Sequence, residues 1–300
     1  MTKEMEPSAT QVNEQDRIKA GTFEFLDEYR GRRVNQYTTP RGGRHYEVEG
    51  YQFDFTSVTS ITGVVNKRGI PDWYKKMGIE KAIDIIDKPG ARERLELQAK
   101  GKNDRARKHK NNTWQTQLYD EAKVGPQEAM DFAAKFGNDS HKLIERLALR
   151  DIGKGQDIGN PTEQYIPIIE GFQAWFRDND LQIVASELMV YHPAYKYAGT
   201  IDLVCRREGT AELVVIDVKT GGVFDEAAMQ ISAYSQALEY LTGDPVSEAW
   251  ALQLPRDRPT EWDADKLYEI YKINDIKEYF EAFDTAHKLR GLLEKEAWSS

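Results

Sequence analysis

The spacing of apolar positions along this chain changes near Leu181, from helical before it to strand-like after it. Upstream, Arg44–Thr62 alternates imperfectly through Tyr46, Val48, Tyr51, Phe53 and Phe55, which predicts a hairpin turning at Gly50. Pro71 and Trp73 then open a helix running toward Ile86. Glu128–Leu149 places Met130, Ala133, Ala134, Leu143, Ile144, Leu147 and Ala148 at helical spacing. Gly137 reads as an interruption, with Ser140 capping a second segment that begins at His141. A further helix carries Ile168, Ile169, Phe172, Trp175 and Phe176 and ends near Asn179, with Pro167 either opening or kinking it.

Downstream, Leu181–Tyr191, Tyr197–Arg206 and Glu212–Lys219 read as three strands, the last two joined by the turn Arg207-Glu208-Gly209-Thr210. Asp225–Leu241 is a helix closed near Gly243 and Pro245. Glu248–Leu254 is a fourth strand, Lys266–Ile273 a fifth, and Ile276–Leu293 a closing helix. This order predicts an α/β or α+β core in which helices flank a central mixed sheet. The chain divides into a flexible polar tail (1–17), a hairpin and helical extension with a basic stretch (18–127), and the core (128–300).

Composition narrows the chemistry. The 300 residues carry a formal net charge of -9, which argues against coating nucleic acid through bulk charge but leaves room for a local basic groove. Such an excess runs through Lys88, Arg92, Arg94, Lys100, Lys102, Arg105, Arg107, Lys108 and Lys110, against only Glu93, Glu96 and Asp104. It reads either as a solvated helix and loop or as a patch on the path of a nucleic-acid backbone. Cys205 is the one cysteine, so an internal disulfide and a four-cysteine iron–sulfur cluster are both excluded. The polar start lacks the apolar core of a signal peptide and no apolar run spans a bilayer. The expectation is a cytoplasmic chain without membrane contact.

The chemistry-bearing residues cluster between Tyr197 and Tyr234. Asp217 and Lys219, two apart on a strand, emerge on one face. Alone, they read equally as an exposed ion pair of little worth. Asp202 lies inside an apolar strand, where a carboxylate is costly unless paired or bound to a cation. Its strand neighbours that of Asp217, so two acids can converge at one sheet end. A cation would relieve their repulsion, and the competing reading is that Lys219 alone neutralises both. Gln230 and Tyr234 share a helix face, as do His141 and Glu145. The bland readings are an amphipathic helix border and a surface pair. Glu187, in an apolar strand, is a weaker candidate for the same cluster.

At these residues the chain resembles the RecB-type branch of the PD-(D/E)xK nucleases. Gly137, His141 and Glu145 are similar to that family's Gly-x-x-x-His-x-x-x-Glu helix, and Gly199-Thr200-Ile201-Asp202 to its Gly-x-x-Asp strand. Asp217-Val218-Lys219-Thr220-Gly221 resembles its Asp-x-Lys-Thr-Gly element, and Gln230-Ile231-Ser232-Ala233-Tyr234 its Gln-x-x-x-Tyr helix. Ser57-Val58-Thr59-Ser60-Ile61, followed by Trp73-Tyr74, is similar to phage and mitochondrial genome maintenance exonucleases. The resemblance implies a restriction-endonuclease-like core and a Mg²⁺- or Mn²⁺-dependent DNA exonuclease. It implies His141, Asp202, Asp217 and the Val218 carbonyl as metal ligands, with Glu145 and Glu187 behind them. Lys219 would be the catalytic lysine, with Gln230 and Tyr234 orienting it or touching DNA. Arg105, Arg107, Lys108 and Lys110 would follow the DNA backbone. The implied partners are single-stranded DNA or duplex ends and a recombination protein, in a bacterial or phage-infected cell. An endonuclease on the same site and a silent DNA-binding module are the alternatives.

Overall fold

A computed structural model describes residues 33–39, 43–65, 70–105, 113–153, 159–207, 209–257 and 266–294. The chain forms two compact units, one of residues 1–66 with 139–300 and one of residues 67–138. The first unit holds an eight-stranded sheet. Its strands are β1 (Val34–Thr38), β2 (Arg44–Val48), β3 (Phe55–Ser57), β4 (Leu181–His192), β5 (Tyr197–Arg207), β6 (Leu213–Lys219), β7 (Val246–Gln253) and β8 (Glu269–Lys272). They lie in the order β1-β2-β3-β5-β6-β7-β8, with β4 also paired to β5. The β3–β5 and β6–β7 pairs are parallel and the others antiparallel, so the sheet is mixed as the sequence predicts.

The connections explain the directions. A short turn joins β5 to β6 and forces them antiparallel. Between β6 and β7 runs helix α7 (Glu226–Thr242), a crossover that returns the chain parallel. Helix α7 stops at Gly243, whose φ of 76° lies in the left-handed region that glycine enters without strain. Every residue of β6 from Leu213 to Val218 is buried, a run expected of a strand covered on both faces. Phe280, Phe283 and Ala286 of α8 (Ile276–Leu293) and Ala233, Ala237 and Leu241 of α7 join β4, β5 and β6 in one hydrophobic core.

Two expectations need correction. Gly137 does not interrupt its helix, and Ser140 caps nothing: α5 runs unbroken from Gly125 to Asp151, and Ser140 is fully buried. Glycine costs a helix only about 1 kcal/mol. Burial of Leu143, Ile144, Leu147 and Ala148 on the following turns exceeds that. The N-terminal hairpin also starts earlier than Arg44, because β1 pairs with β2 and only then does the chain pass Gly50 (φ 91°) to β3. Pro167 opens its helix, α6 (Ile166–Asp178), behind a 3₁₀ turn at Glu163–Tyr165. The 1–17 tail lies outside the described residues.

The second unit contains α2 (Ile70–Ile86), α3 (Ala91–Arg105) and α4 (Trp114–Ala122), around a small core of Ile85, Leu95 and Ala122. The short α1 (Val58–Thr62) belongs to the first unit. Among the described residues no helix is long and apolar enough to cross a membrane.

Candidate active site

The β5–β6 ladder ends at the pair Leu203↔Ile216. Asp202 and Asp217 are each the next residue beyond it, so the sheet delivers both acids to the same place. Asp202 Oδ2 accepts a 2.6 Å hydrogen bond from the Val218 backbone N–H. The point of contact on Val218 is thus its amide, a role the sequence did not suggest. Asp217 is almost fully buried, and Lys219 Nζ lies 2.6 Å from its Oδ2. The Lys219 ammonium is thus the partner of this buried oxygen. Gln230, one face of α7, donates from Nε2 to Asp217 Oδ1 at 2.9 Å and to the Tyr234 hydroxyl at 3.1 Å. Gln230 therefore orients the acid that pairs with Lys219. Tyr234 is buried, with no ring face open to a base.

Helix α5 supplies His141. Its Nδ1 sits 3.2 Å from Asp202 Oδ1 and 3.8 Å from Glu187 Oε1. Glu187 and Asp202 occupy the positions between the paired Ser186↔Leu203 and Leu188↔Ile201 on β4 and β5. At Glu187 the backbone has φ 50°, a left-handed conformation that costs a residue with a Cβ about 1–3 kcal/mol. Strain of this kind collects at functional sites, and here it accompanies a carboxylate placed beside His141 and Asp202. The sequence marked Glu187 only as a weaker candidate for this cluster. The signal was present, an acid inside an apolar strand, but its distorted backbone was not legible. Ligand atoms of His141, Glu187 and Asp202 all lie within 4.8 Å of one another.

The electrostatics are those of an overcrowded acidic centre. Burial raises the Asp202 carboxyl, His141 opposes this, and Asp217 and Glu187 reinforce it. Burial disfavours the His141 cation, but the Asp202 charge and hydrogen bonds to Asp202 and Glu187 outweigh it and carry the imidazole up to about 10. Burial likewise opposes the Lys219 charge, yet Asp217, with Asp202 and Glu226, holds the ammonium above its ordinary value. Burial and the nearby Glu187 raise the Glu145 carboxyl, which places Glu145 at the margin of the cluster. A divalent cation fits this donor set. His141, Glu187 and Asp202 bring their ligand atoms together, and carboxylate oxygens with one imidazole suit a hard or borderline cation.

Within the second unit the described part of the basic stretch is engaged in local ion pairs. Lys88 pairs with Asp84, Arg92 with Glu96, and Arg94 with both oxygens of Glu121; Arg92 also lies over the Trp114 ring. Arg105 ends α3, and its side chain is outside what is described, as are Arg107, Lys108 and Lys110 entirely.

Comparison with known proteins adds the following. No curated protein sequence matches the chain. A crystal structure of SSO0001 is similar at 14% identity over 52% of this chain and 76% of that one, with a TM-score of 0.26, a likeness too slight to carry any argument. The model of the PD-(D/E)XK nuclease superfamily matches residues 161–297, a stretch that contains Glu187, Asp202, Asp217, Lys219, Gln230 and Tyr234, while His141 and Glu145 precede it. That match, over a mixed sheet that gathers these residues at one end, supports the superfamily and with it a metal-dependent nuclease.

Proposed function

We propose that the chain is a Mg²⁺- or Mn²⁺-dependent deoxyribonuclease of RecB-like type that degrades DNA from its ends. The observation that carries this reading is the meeting of Asp202, Asp217 and Lys219 at one end of the β5–β6 ladder, with His141 against Asp202. His141, Asp202 and Asp217 would hold the cation, as the resemblance implies, and Glu187 joins them because its ligand atom already lies with those of His141 and Asp202. When bound, the ion supplies Lewis-acid polarisation of a phosphate oxygen and a water of lowered pKa. The side chains do the rest. Gln230, braced by Tyr234, fixes the Asp217 carboxylate, and Asp217 fixes Lys219. Lys219 keeps its proton, so it serves as a charged donor toward the phosphoryl group rather than as a base.

DNA is the substrate in this reading, as single strands or duplex ends, and recombination or repair the setting. The preference for ends rests on the similarity of Ser57-Val58-Thr59-Ser60-Ile61 to phage and mitochondrial exonucleases. The test is the release of label from end-labelled linear DNA under Mg²⁺, compared with closed circular single-stranded DNA. Linear DNA is expected to be degraded and the circle spared; cleavage of the circle would make the enzyme an endonuclease. Lys219→Ala is expected to lower the rate at least about a hundredfold. A variant as active as the parent would overturn the assignment.

A further inference from the structure

The segment immediately after Lys219 is Thr220-Gly221-Gly222, whose glycines have no side chains with which to hold it in place. Gly221 is exposed, and a Cβ built on it would meet nothing within 4 Å, so its backbone faces open space next to the lysine. Among the described residues two contacts tie this segment down, from Gln253 at the end of β7 and from Leu254 just after it. The Leu254 N–H donates to the Lys219 carbonyl at 2.8 Å. Gln253, the register partner of Lys219, donates from Nε2 to the Gly221 carbonyl at 2.7 Å. The Tyr271 hydroxyl of β8 donates to Gln253 Oε1 at 3.2 Å. With its oxygen engaged by Tyr271 and its nitrogen by Gly221, the Gln253 amide has one orientation, and only a donor serves on the Gly221 side.

We propose that Gln253, oriented by Tyr271, is a positioning residue for Lys219. It holds the exposed backbone that follows the lysine, and so the direction from which Nζ meets the substrate phosphate. This inference rests on the nuclease reading above and deepens it. The relay runs from the edge strand to the backbone that follows the reacting lysine. A small misplacement of a reacting group is enough to cost a large factor in rate while leaving the binding of a long substrate almost unchanged.

The experiment is steady-state cleavage of end-labelled DNA under Mg²⁺ by the full chain, with melting temperatures measured on each variant. Gln253→Glu keeps the shape and the acceptor for Tyr271 but loses the donor to Gly221. It is expected to lower kcat about tenfold at unchanged KM and at a melting temperature close to the parent's. Gln253→Ala should lose a similar factor. Because a protonated carboxyl can donate again, the Gln253→Glu rate should recover relative to that of Gln253→Ala as pH falls toward the carboxyl range. Tyr271→Phe should lose about threefold. Parental kcat in Gln253→Glu, or a change confined to KM, would overturn the proposal while leaving the nuclease reading intact, provided that Lys219→Ala is inactive. If the parent itself shows no metal-dependent cleavage, both fall together.

Discussion

Gly199 has no room for a side chain, because a Cβ there would lie 2.4 Å from Cε1 of the Tyr234 ring. In the sequence this glycine stands out as the first residue of the Gly-x-x-Asp stretch that ends at Asp202. The group that approaches is a tyrosine from α7 rather than a ligand. Gly199→Ala must therefore push Tyr234 aside and, through it, Gln230 and the Asp217 carboxylate. Overpacking of this kind costs about 1–3 kcal/mol. A urea unfolding series on the metal-free protein measures it, and a midpoint equal to the parent's would show that the ring has room to move. At this scale Asp202, Asp217 and Gln230 were legible as polar residues between apolar neighbours, Lys219 through its spacing from Asp217, and His141, flanked by Ser140 and Lys142, through the helix motif it resembles. Glu187 was only half legible, and Gln253 not at all. A glutamine near a strand end looks ordinary until its two hydrogen-bond partners, 32 and 18 residues away in sequence, are seen.

Among elements, β4 and β5 form the longest paired segment of the sheet and carry the acids Glu187 and Asp202 at its middle and an aromatic clamp at one end. His192, the last residue of β4, pairs with Tyr197 and is surrounded by the rings of Tyr195, Tyr197 and Tyr240 at 4.8, 5.8 and 4.7 Å. Its Nδ1 is buried without a hydrogen bond. Burial lowers the imidazole from 6.5 to about 4. The unfolded chain therefore takes up this proton first. The stabilising contribution of neutral His192 is complete above about pH 6.5 and is lost as pH falls toward 4. At about 1.4 kcal/mol per pH unit, the loss reaches about 3 kcal/mol. Denaturant unfolding of parent and His192→Phe between pH 4 and 7 isolates it, with the variant expected to lose less stability on acidification. Identical pH profiles would rule out His192 as a source of acid lability. The elements also show where local pattern misleads: Gly137 marked a helix end in the sequence, but α5 passes through it because the buried face beyond it spans the gap.

For the whole molecule, the acidic cluster is assembled from α5, β4, β5 and β6, so a cation that binds there binds only the folded chain. Manganese at a hundred times its Kd is expected to stabilise the protein by about 2.7 kcal/mol. Asp202→Ala should abolish that gain, and Glu187→Gln should raise the Kd about tenfold. Thermal melts with and without MnCl₂, on parent and variants, read all three. Equal stabilisation of parent and Asp202→Ala would mean that the ion binds elsewhere.

The sequence by itself determined the kinds of element, the mixed sheet and the short set of polar residues worth examining. These follow from local periodicity and from the cost of placing charge among apolar neighbours. It also limited the cysteine chemistry through the single Cys205. Only the tertiary structure decided which acids meet, because register and helix approach are long-range quantities. His141 reaches Asp202 across 61 residues because α5 brings its imidazole to β5. The left-handed turn at Glu187, the Val218 amide on Asp202 and the clamp of Gln253 on Gly221 exist only once neighbouring strands are in place. Hydrogen bonds and strain between segments distant in sequence have no period, and so leave no pattern in it to be read.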